Sequence, residues 1–484
     1  MLRDAGEADM TEGPIWRHIM EFSIPTVIGL IFQQLYNTVD TLVVGKFVGK
    51  EALAAVGSTG SIVNMLVALC AGISLGAGVV ISQHYGAKDY ERLRRALHTT
   101  IVVTAVLSVL ATVAGIVLTK PMLRLMSTPK DVFGQANTYL TIYFAGISGL
   151  LIYNMGSGVL RAVGNSRLPL YFLCLCAMLN VVLDLVFVIA FGWGVAGVAY
   201  ATILSQFISA GLEIFVLSRG DKPYTIKWHH LRVSVEELKQ IVRIGMPSGV
   251  QQAITSFSNV FVQSYINYFG TACMAGWSSY SKLDVFLLIP MQSIAMASTT
   301  FVGQNYGAGK LDRAREGVKR SLTFSVIITA ALCVVMVLLR VPLLKLFNDD
   351  PEVIDYGAKF IALISPFYIV TSINQIYAGA LRGVGSSRIP TAIMLFSFVI
   401  FRQAYLFVNR LLGHYFVLTA LAYPVGWVVC SILMTIAYRR SVLIKHTSGH
   451  HIPRHADALA VAGSHTDDDS GSDTSAKAGL NADE

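Results

Sequence analysis

Apolar positions fall in long unbroken stretches, each closed by a charge cluster or by Gly and Pro, from Trp16 to about Tyr438. At 1.5 Å of rise per residue, about 20 apolar residues cross the hydrocarbon core of a bilayer as a helix. Twelve stretches qualify, near 16–46, 51–82, 96–119, 131–159, 168–191, 195–218, 238–268, 272–301, 318–339, 353–380, 389–411 and 415–438. The pattern predicts an all-α polytopic membrane protein. Composition agrees, with 54% hydrophobic and 14% charged residues, where a soluble domain carries roughly 25% charged. An ordinary soluble enzyme is excluded.

Lys and Arg divide unevenly among the connections. With the N-terminus inside, inner segments carry 26 and outer loops 9, and Lys282 and Arg402 fall within spans. That bias follows the positive-inside rule and predicts a multi-pass cell-membrane protein with both termini cytoplasmic. The first fifteen residues are polar and acidic, unlike a cleavable signal peptide. Residues 1–446 have a net charge of +13 and the remainder −5. Because the basic residues sit in short loops, the balance reflects membrane topology and no nucleic-acid partner is expected. The six cysteines lie inside apolar stretches without paired spacing, as buried small hydrophobes do.

An internal repeat organises the chain. SQHYGAKDYERLRRA (82–96) matches GQNYGAGKLDRAREG (303–317) at six of fifteen positions, and LRAVGNSRLP (160–169) matches LRGVGSSRIP (381–390) at seven of ten, both offset by 221. Pro25 and Pro247 pair at 222, and Gly49 pairs with Gly270 at 221. Two homologous halves of six spans follow. Six is even, so the halves enter the membrane in the same sense, as parallel repeats around a central cleft. The predicted organisation is a cytoplasmic N-terminal segment (1–15), an N-terminal six-helix bundle (16–218), a cytoplasmic linker (219–237), a C-terminal six-helix bundle (238–440) and a tail (441–484). That tail, rich in Ser, Asp and Gly, is expected to be disordered and cytoplasmic. The duplicated elements lie at cytoplasmic span ends. They read as structural, with their arginines at the headgroup level.

Ionisable residues within lipid are expensive, so they are the first functional candidates. Deep in the spans stand Asp40, Asp184, Lys282, Asp284 and Arg402, with Glu21 and Glu213 nearer the inner ends. Asp40 and Asp184 fall at similar depth in the outer half. Asn180 lies one turn before Asp184, and Thr202 on span 6 reaches the same level. These four form an oxygen-lined pocket for Na⁺ or a shared proton, or each acid satisfies a local structural hydrogen bond. Gln33, Tyr36, Asn37 and Asp40 make one polar stripe on span 1 that cannot face lipid cheaply. Pro25 frees a backbone carbonyl and permits a bend there.

The second half differs chemically. Val262 matches Asp40, while Phe401 and Tyr405 match Asn180 and Asp184. It offers neutral Gln251, Gln252, Asn259, Gln263, Asn374, Gln375 and Tyr377 instead. Lys282 and Asp284 are too close in sequence to face each other, so each needs its own partner. No GxxxxGK[ST] element occurs, so no ATP-driven motor is encoded. Clustered intramembrane His or Cys, which a membrane-embedded enzyme would need, are missing; an enzyme is not expected, nor a cofactor.

Two parallel six-span halves, a first span with Pro then Asp, and duplicated QxYGA and LRxxGxSRxP elements resemble the multidrug and toxic compound extrusion (MATE) family over roughly residues 14–440. The resemblance implies export of small organic, often cationic, compounds by antiport with H⁺ or Na⁺ and alternating access. It implies that Asp40, Asn180, Asp184 and Thr202 form the cation site, that Pro25 is the bending point of span 1, and that Gln33, Tyr36, Tyr139 and Asn154 line the substrate path. Some members place acidic cation ligands on spans 7 and 10. Here Thr255, Ser256, Asn374 and Gln375 are neutral. The rival readings are a flippase for a lipid-linked precursor and a narrow-specificity metabolite exporter on the same fold.

Overall fold

Inside lipid a chain satisfies its backbone by helices or a closed barrel. The computed structural model describes residues 8–126, 128–220 and 222–445, and among these it contains helices and no strand. We number the spans α1 (Ile15–Val48), α2 (Lys50–Gly86), α3 (Tyr90–Leu125), α4 (Lys130–Ala162), α5 (Arg167–Ala190), α6 (Gly194–Ser218), α7 (Val235–Asn267), α8 (Thr271–Gly307), α9 (Leu311–Leu338), α10 (Pro351–Gly383), α11 (Arg388–Leu412) and α12 (Ala422–Arg439). Ten are individually long and apolar enough to cross a membrane, and α4, bent by 47° at Gly146, makes an eleventh. The remaining helix, α7, has the length but carries Gln251, Gln252, Asn259 and Gln263, which face an internal cavity rather than lipid. The fold is two six-helix halves, α1–α6 and α7–α12.

Local sequence explains the breaks. Gly49 and Gly270, the matched pair, adopt φ of 121° and 92° immediately before α2 and α8, a conformation that glycine enters without steric penalty. Asp89 accepts from the Arg92 backbone N–H (3.0 Å) at the start of α3. Asp350 caps α10, accepting from the Glu352 N–H (2.9 Å) with Pro351 at the first helical position. The linker is packed against the first half. Tyr224 and Ile226 are buried, the Lys227 N–H donates to His98 Nε2 (3.3 Å) and the Ser234 N–H to Thr99 Oγ1 (3.0 Å) on α3.

The halves meet most closely at the end that carries the duplicated elements. There α2 crosses α7 through Gly72-x-x-x-Gly76 and Gly245-x-x-x-Gly249. A Cβ on Gly72 would lie 2.5 Å from Gly249 Cα, and one on Gly245 would lie 2.6 Å from the Gly72 carbonyl. Small residues at this spacing let two helix backbones touch. Farther along α2, Gly57 and Gly60 meet nothing within 4 Å.

Beyond this crossing the repeats clasp each other. Gln83 Nε2 donates to the Gly383 carbonyl (2.7 Å), and its counterpart Gln304 donates to the Ala162 carbonyl (2.9 Å). Each glutamine of one copy of the first element thus bonds the other half's copy of the second, in a pseudo-twofold exchange. Gly86 and Gly307 complete it, each leaving room only for the opposite glutamine's carbonyl. The N-terminal segment then crosses to the second half: the Met10 N–H donates to Gln304 Oε1 (3.0 Å), and Asn305 Nδ2 donates to the Met10 carbonyl (3.1 Å).

Removing one clasp amide leaves a buried carbonyl unpaired, at about 1–3 kcal/mol. Gln83→Ala and Gln304→Ala are therefore each expected to shift the equilibrium away from this closed arrangement by roughly tenfold or more. Spin-label distances between Lys88 and Glu236, both exposed at this end, report the change.

Candidate functional site

Polar side chains in the first half collect on the facing surfaces of α1, α5 and α6. Asn180, Asp184 and Thr202 are all at most 6% exposed. Asp40 and Asp184 are electrostatic neighbours across α1 and α5. Asn180 Nδ2 approaches Thr202 Oγ1 (3.5 Å), whose hydroxyl donates to the Val198 carbonyl (3.0 Å). Asn180 Oδ1, both Asp184 oxygens and one Asp40 oxygen are buried without a donor from other protein groups. Four acceptors facing inward with two carboxylates among them make a chemically unsaturated cluster.

The backbone beside both acids is irregular. The last turn of α1, Val44–Val48, and of α5, Val186–Ala190, are wide π turns closed by the Gly49 N–H on the Val44 carbonyl (3.1 Å) and the Phe191 N–H on the Val186 carbonyl (3.0 Å). Such turns add a residue to a helix and re-aim its neighbours.

The expected substrate-lining residues divide. Pro25, Gln33 and Asn154 line one cavity of about 320 Å³ between α1, α2, α4, α5 and α8. Asn154 is held there by its own helix, donating to the Leu150 carbonyl (2.9 Å). Tyr36 and Tyr139 sit beside the acid pair, with Tyr139 stacked on Tyr143 at 6.0 Å between ring centroids. Asn37 is exposed and lines neither that cavity nor the one in the second half. Asp40 lies two turns along α1 from Gln33. Pro25 leaves the Glu21 carbonyl without its helical donor, and the Ser166 hydroxyl donates to it instead (3.4 Å).

The duplicated elements hold the two halves together through the clasp, and the first arginine of each LRxxGxSRxP copy lines a cavity. Arg161 lines the first cavity and Arg382 lines a second one of about 490 Å³ inside α7–α12. Both lie in the last turn of their helices, where the helical phase turns them inward. Arg402, Asp284, Thr255, Asn374 and Gln375 line the second cavity as well. Asp284 accepts from the Tyr280 hydroxyl (3.4 Å), whereas Lys282 Nζ stands over the Phe347 ring at 5.4 Å.

The MatE family model matches this chain twice, over residues 25–186 and 247–407. The chain belongs to the MATE family. The two matches begin 222 and end 221 residues apart, the same offsets that relate the repeats. Relatives include the probable multidrug resistance protein YpnP of Bacillus subtilis, 30% identical over 82% of this chain and 89% of its own. The FAD transporter of Shewanella oneidensis is 22% identical over 77% of this chain and 83% of its own. A solved outward-facing MATE transporter superposes with a TM-score of 0.84 at 24% identity, over 90% of this chain and 97% of the other, and so shares the fold. MATE proteins are membrane transporters, not enzymes.

Proposed function

We propose that this MATE protein exports small organic compounds across the cell membrane by antiport with H⁺ or Na⁺, and that the cation binds at Asp40 and Asp184 with Asn180 and Thr202 completing the site. The observation that carries this reading is the buried cluster of unpaired oxygens around the two neighbouring carboxylates. Adding one positive charge there removes a like-charge repulsion in low dielectric and so changes the packing preferences of α1, α5 and α6. Gln33 and Asn154 would contact the substrate two turns away. In this scheme the clasp end faces the cytoplasm together with both termini, the clasp is the inner gate, and Pro25 is the bending point of α1. The membrane potential supplies about 2.3 kcal/mol per charge per 100 mV.

Similarity to proteins named for multidrug resistance supports a broad substrate range. A relative named as an FAD transporter gives a narrow metabolite exporter a specific footing as the second reading.

Ethidium accumulation in cells lacking their own exporters tests the proposal. Cells making this protein should accumulate less dye, a protonophore should abolish the difference by collapsing the driving force, and Na⁺ removal identifies the ion: export lost without Na⁺ means Na⁺ coupling, export kept means H⁺ coupling. Equal accumulation with and without the protein removes ethidium-type export and leaves the metabolite exporter.

A further inference from the structure

The two halves keep the same arginine in different charge environments. Arg161 in the first half has the buried Glu213 as a nearby countercharge, itself accepting from the Ser157 hydroxyl (2.6 Å). Arg382 is its counterpart at an offset of 221, but the position matching Glu213 is Met434, which is fully buried. The second half therefore has the cation without that acid. It also has a further cation, since Arg402 stands where the first half has Val181. The same cavity holds one carboxylate, Asp284.

Neither arginine is ion-paired among the described residues. Arg402 is 3% exposed, donates through one terminal nitrogen to Ser258 Oγ (3.1 Å) and Asn259 Oδ1 (2.8 Å), and lies over the Tyr423 ring at 4.8 Å. Its Nε–H is buried and has no acceptor. Arg382 reaches only Met394 Sδ (3.8 Å), and its Nε–H is also buried and unsatisfied. Leaving such donors unpaired in a membrane interior is costly. Trp277 stacks on Tyr423 at 5.4 Å, and Trp427 closes the same wall. The cavity thus combines flat aromatic walls with two guanidinium groups against one carboxylate, in a volume typical of small-molecule sites.

We propose that the cavity within α7–α12 is a binding site for a planar organic anion, whose carboxylate, sulfonate or phosphate bonds Arg382 and Arg402 while its ring system packs on Trp277 and Tyr423. Guanidinium groups suit such acids because their donors match two oxygens at once. The site goes beyond cation-coupled export and does not involve Asp40. A MATE protein carrying it holds an acid-recognising pocket in one half and an acidic cluster in the other.

Two xanthene dyes of opposite charge, carboxyfluorescein and rhodamine 123, test it on full-length protein in phosphatidylcholine nanodiscs, by fluorescence anisotropy. Carboxyfluorescein should bind about tenfold or more tightly than rhodamine 123, and Arg402→Gln or Arg382→Gln should each weaken it by a similar factor. Asp284→Asn should tighten it by removing the repelling charge. If Arg402→Gln does not fold, Arg382→Gln decides with Asp284→Asn. Equal binding of the two dyes, insensitivity to Arg382→Gln, or weakening by Asp284→Asn overturns the proposal. So does displacement of carboxyfluorescein by phosphatidylglycerol added to the nanodisc, which would assign the arginines to a lipid headgroup. Loss of ethidium export alone would bear on the coupling reading and not on this one.

Discussion

Gly76→Leu is expected to abolish export while leaving the protein inserted and folded. A side chain at position 76 would drive into the Ile241 carbonyl and approach the Gly245 backbone nitrogen to 2.7 Å and its Cα to 2.8 Å. Those atoms belong to a helix backbone and cannot turn aside as a side-chain tip can. Leucine therefore forces α2 and α7 apart, toward the 8–10 Å axial separation of ordinary helix pairs. The clasp formed by Gln83 and Gln304 lies beyond this crossing and would open with it. Helix formation itself would not suffer, since leucine is a better helix former than glycine. A transporter unable to close one end cannot alternate, so dye efflux should fall by about tenfold or more. Spin labels at Lys88 and Glu236 should report a longer distance. Gly57→Leu is the matched control, because nothing lies within 4 Å of a Cβ there. Wild-type efflux in Gly76→Leu would mean that this crossing does not take part in the cycle.

Much of this was readable from the chain, and the reasons for what was not are specific. Twelve helices follow from the apolar stretches, among them 238–268, although α7 is less apolar than the others because its amides face a cavity. Asp40, Asn180, Asp184 and Thr202 come together because depth along a straight helix is close to arithmetic at 1.5 Å per residue. That Arg161 and Arg382 line cavities was not legible, because depth alone does not say which way a last-turn residue points; rotation about the helix axis does. Their retention at one offset in both halves was the available signal. The GxxxG pair at 72–76 and 245–249 was legible as a motif but lay among 41 glycines, most of which have other duties. The exchange of Gln83 and Gln304 between halves was beyond reach, because a pseudo-twofold contact depends on how the halves dock.

The divergence of the halves is therefore uneven. The residues that make the clasp are the same in both halves, Gln83 with Gln304 and Gly86 with Gly307, because each copy must fit the other: a change in Gln83 or Gly86 alone would break half of a reciprocal contact. Positions inside each half have no such partner in the other half, and several of them differ in charge. The first half has Asp40, Asp184 and Glu213, while the second carries Val262, Tyr405 and Met434 at the matching positions and also has Arg402 and Asp284. The pseudo-twofold clasp thus joins two halves whose buried charges differ.

Asp40→Asn should eliminate energised export, and the reason is charge rather than shape. Asparagine keeps the volume and one acceptor oxygen, so α1 and α5 can pack as before. What disappears is one of the two carboxylates proposed to bind the coupling cation, and with it the like-charge repulsion that such a cation would relieve. The site then has nothing to gain from an imposed gradient. Dye efflux from cells, and uptake into proteoliposomes driven by a pH or Na⁺ gradient, should both drop by about tenfold or more, equivalent to roughly 1.4 kcal/mol or more of lost coupling. Dye binding should survive, because Gln33 and Asn154 lie two turns away. Asp184→Asn should act the same way, and the double variant should be no worse than either single one, since both remove the same two-member site. Thr202→Val should be milder, because Thr202 meets Asn180 only at 3.5 Å. Asn37→Ala, exposed on the same helix, should pump like wild type. Gradient-driven transport by Asp40→Asn at the wild-type rate would place cation coupling elsewhere in the chain.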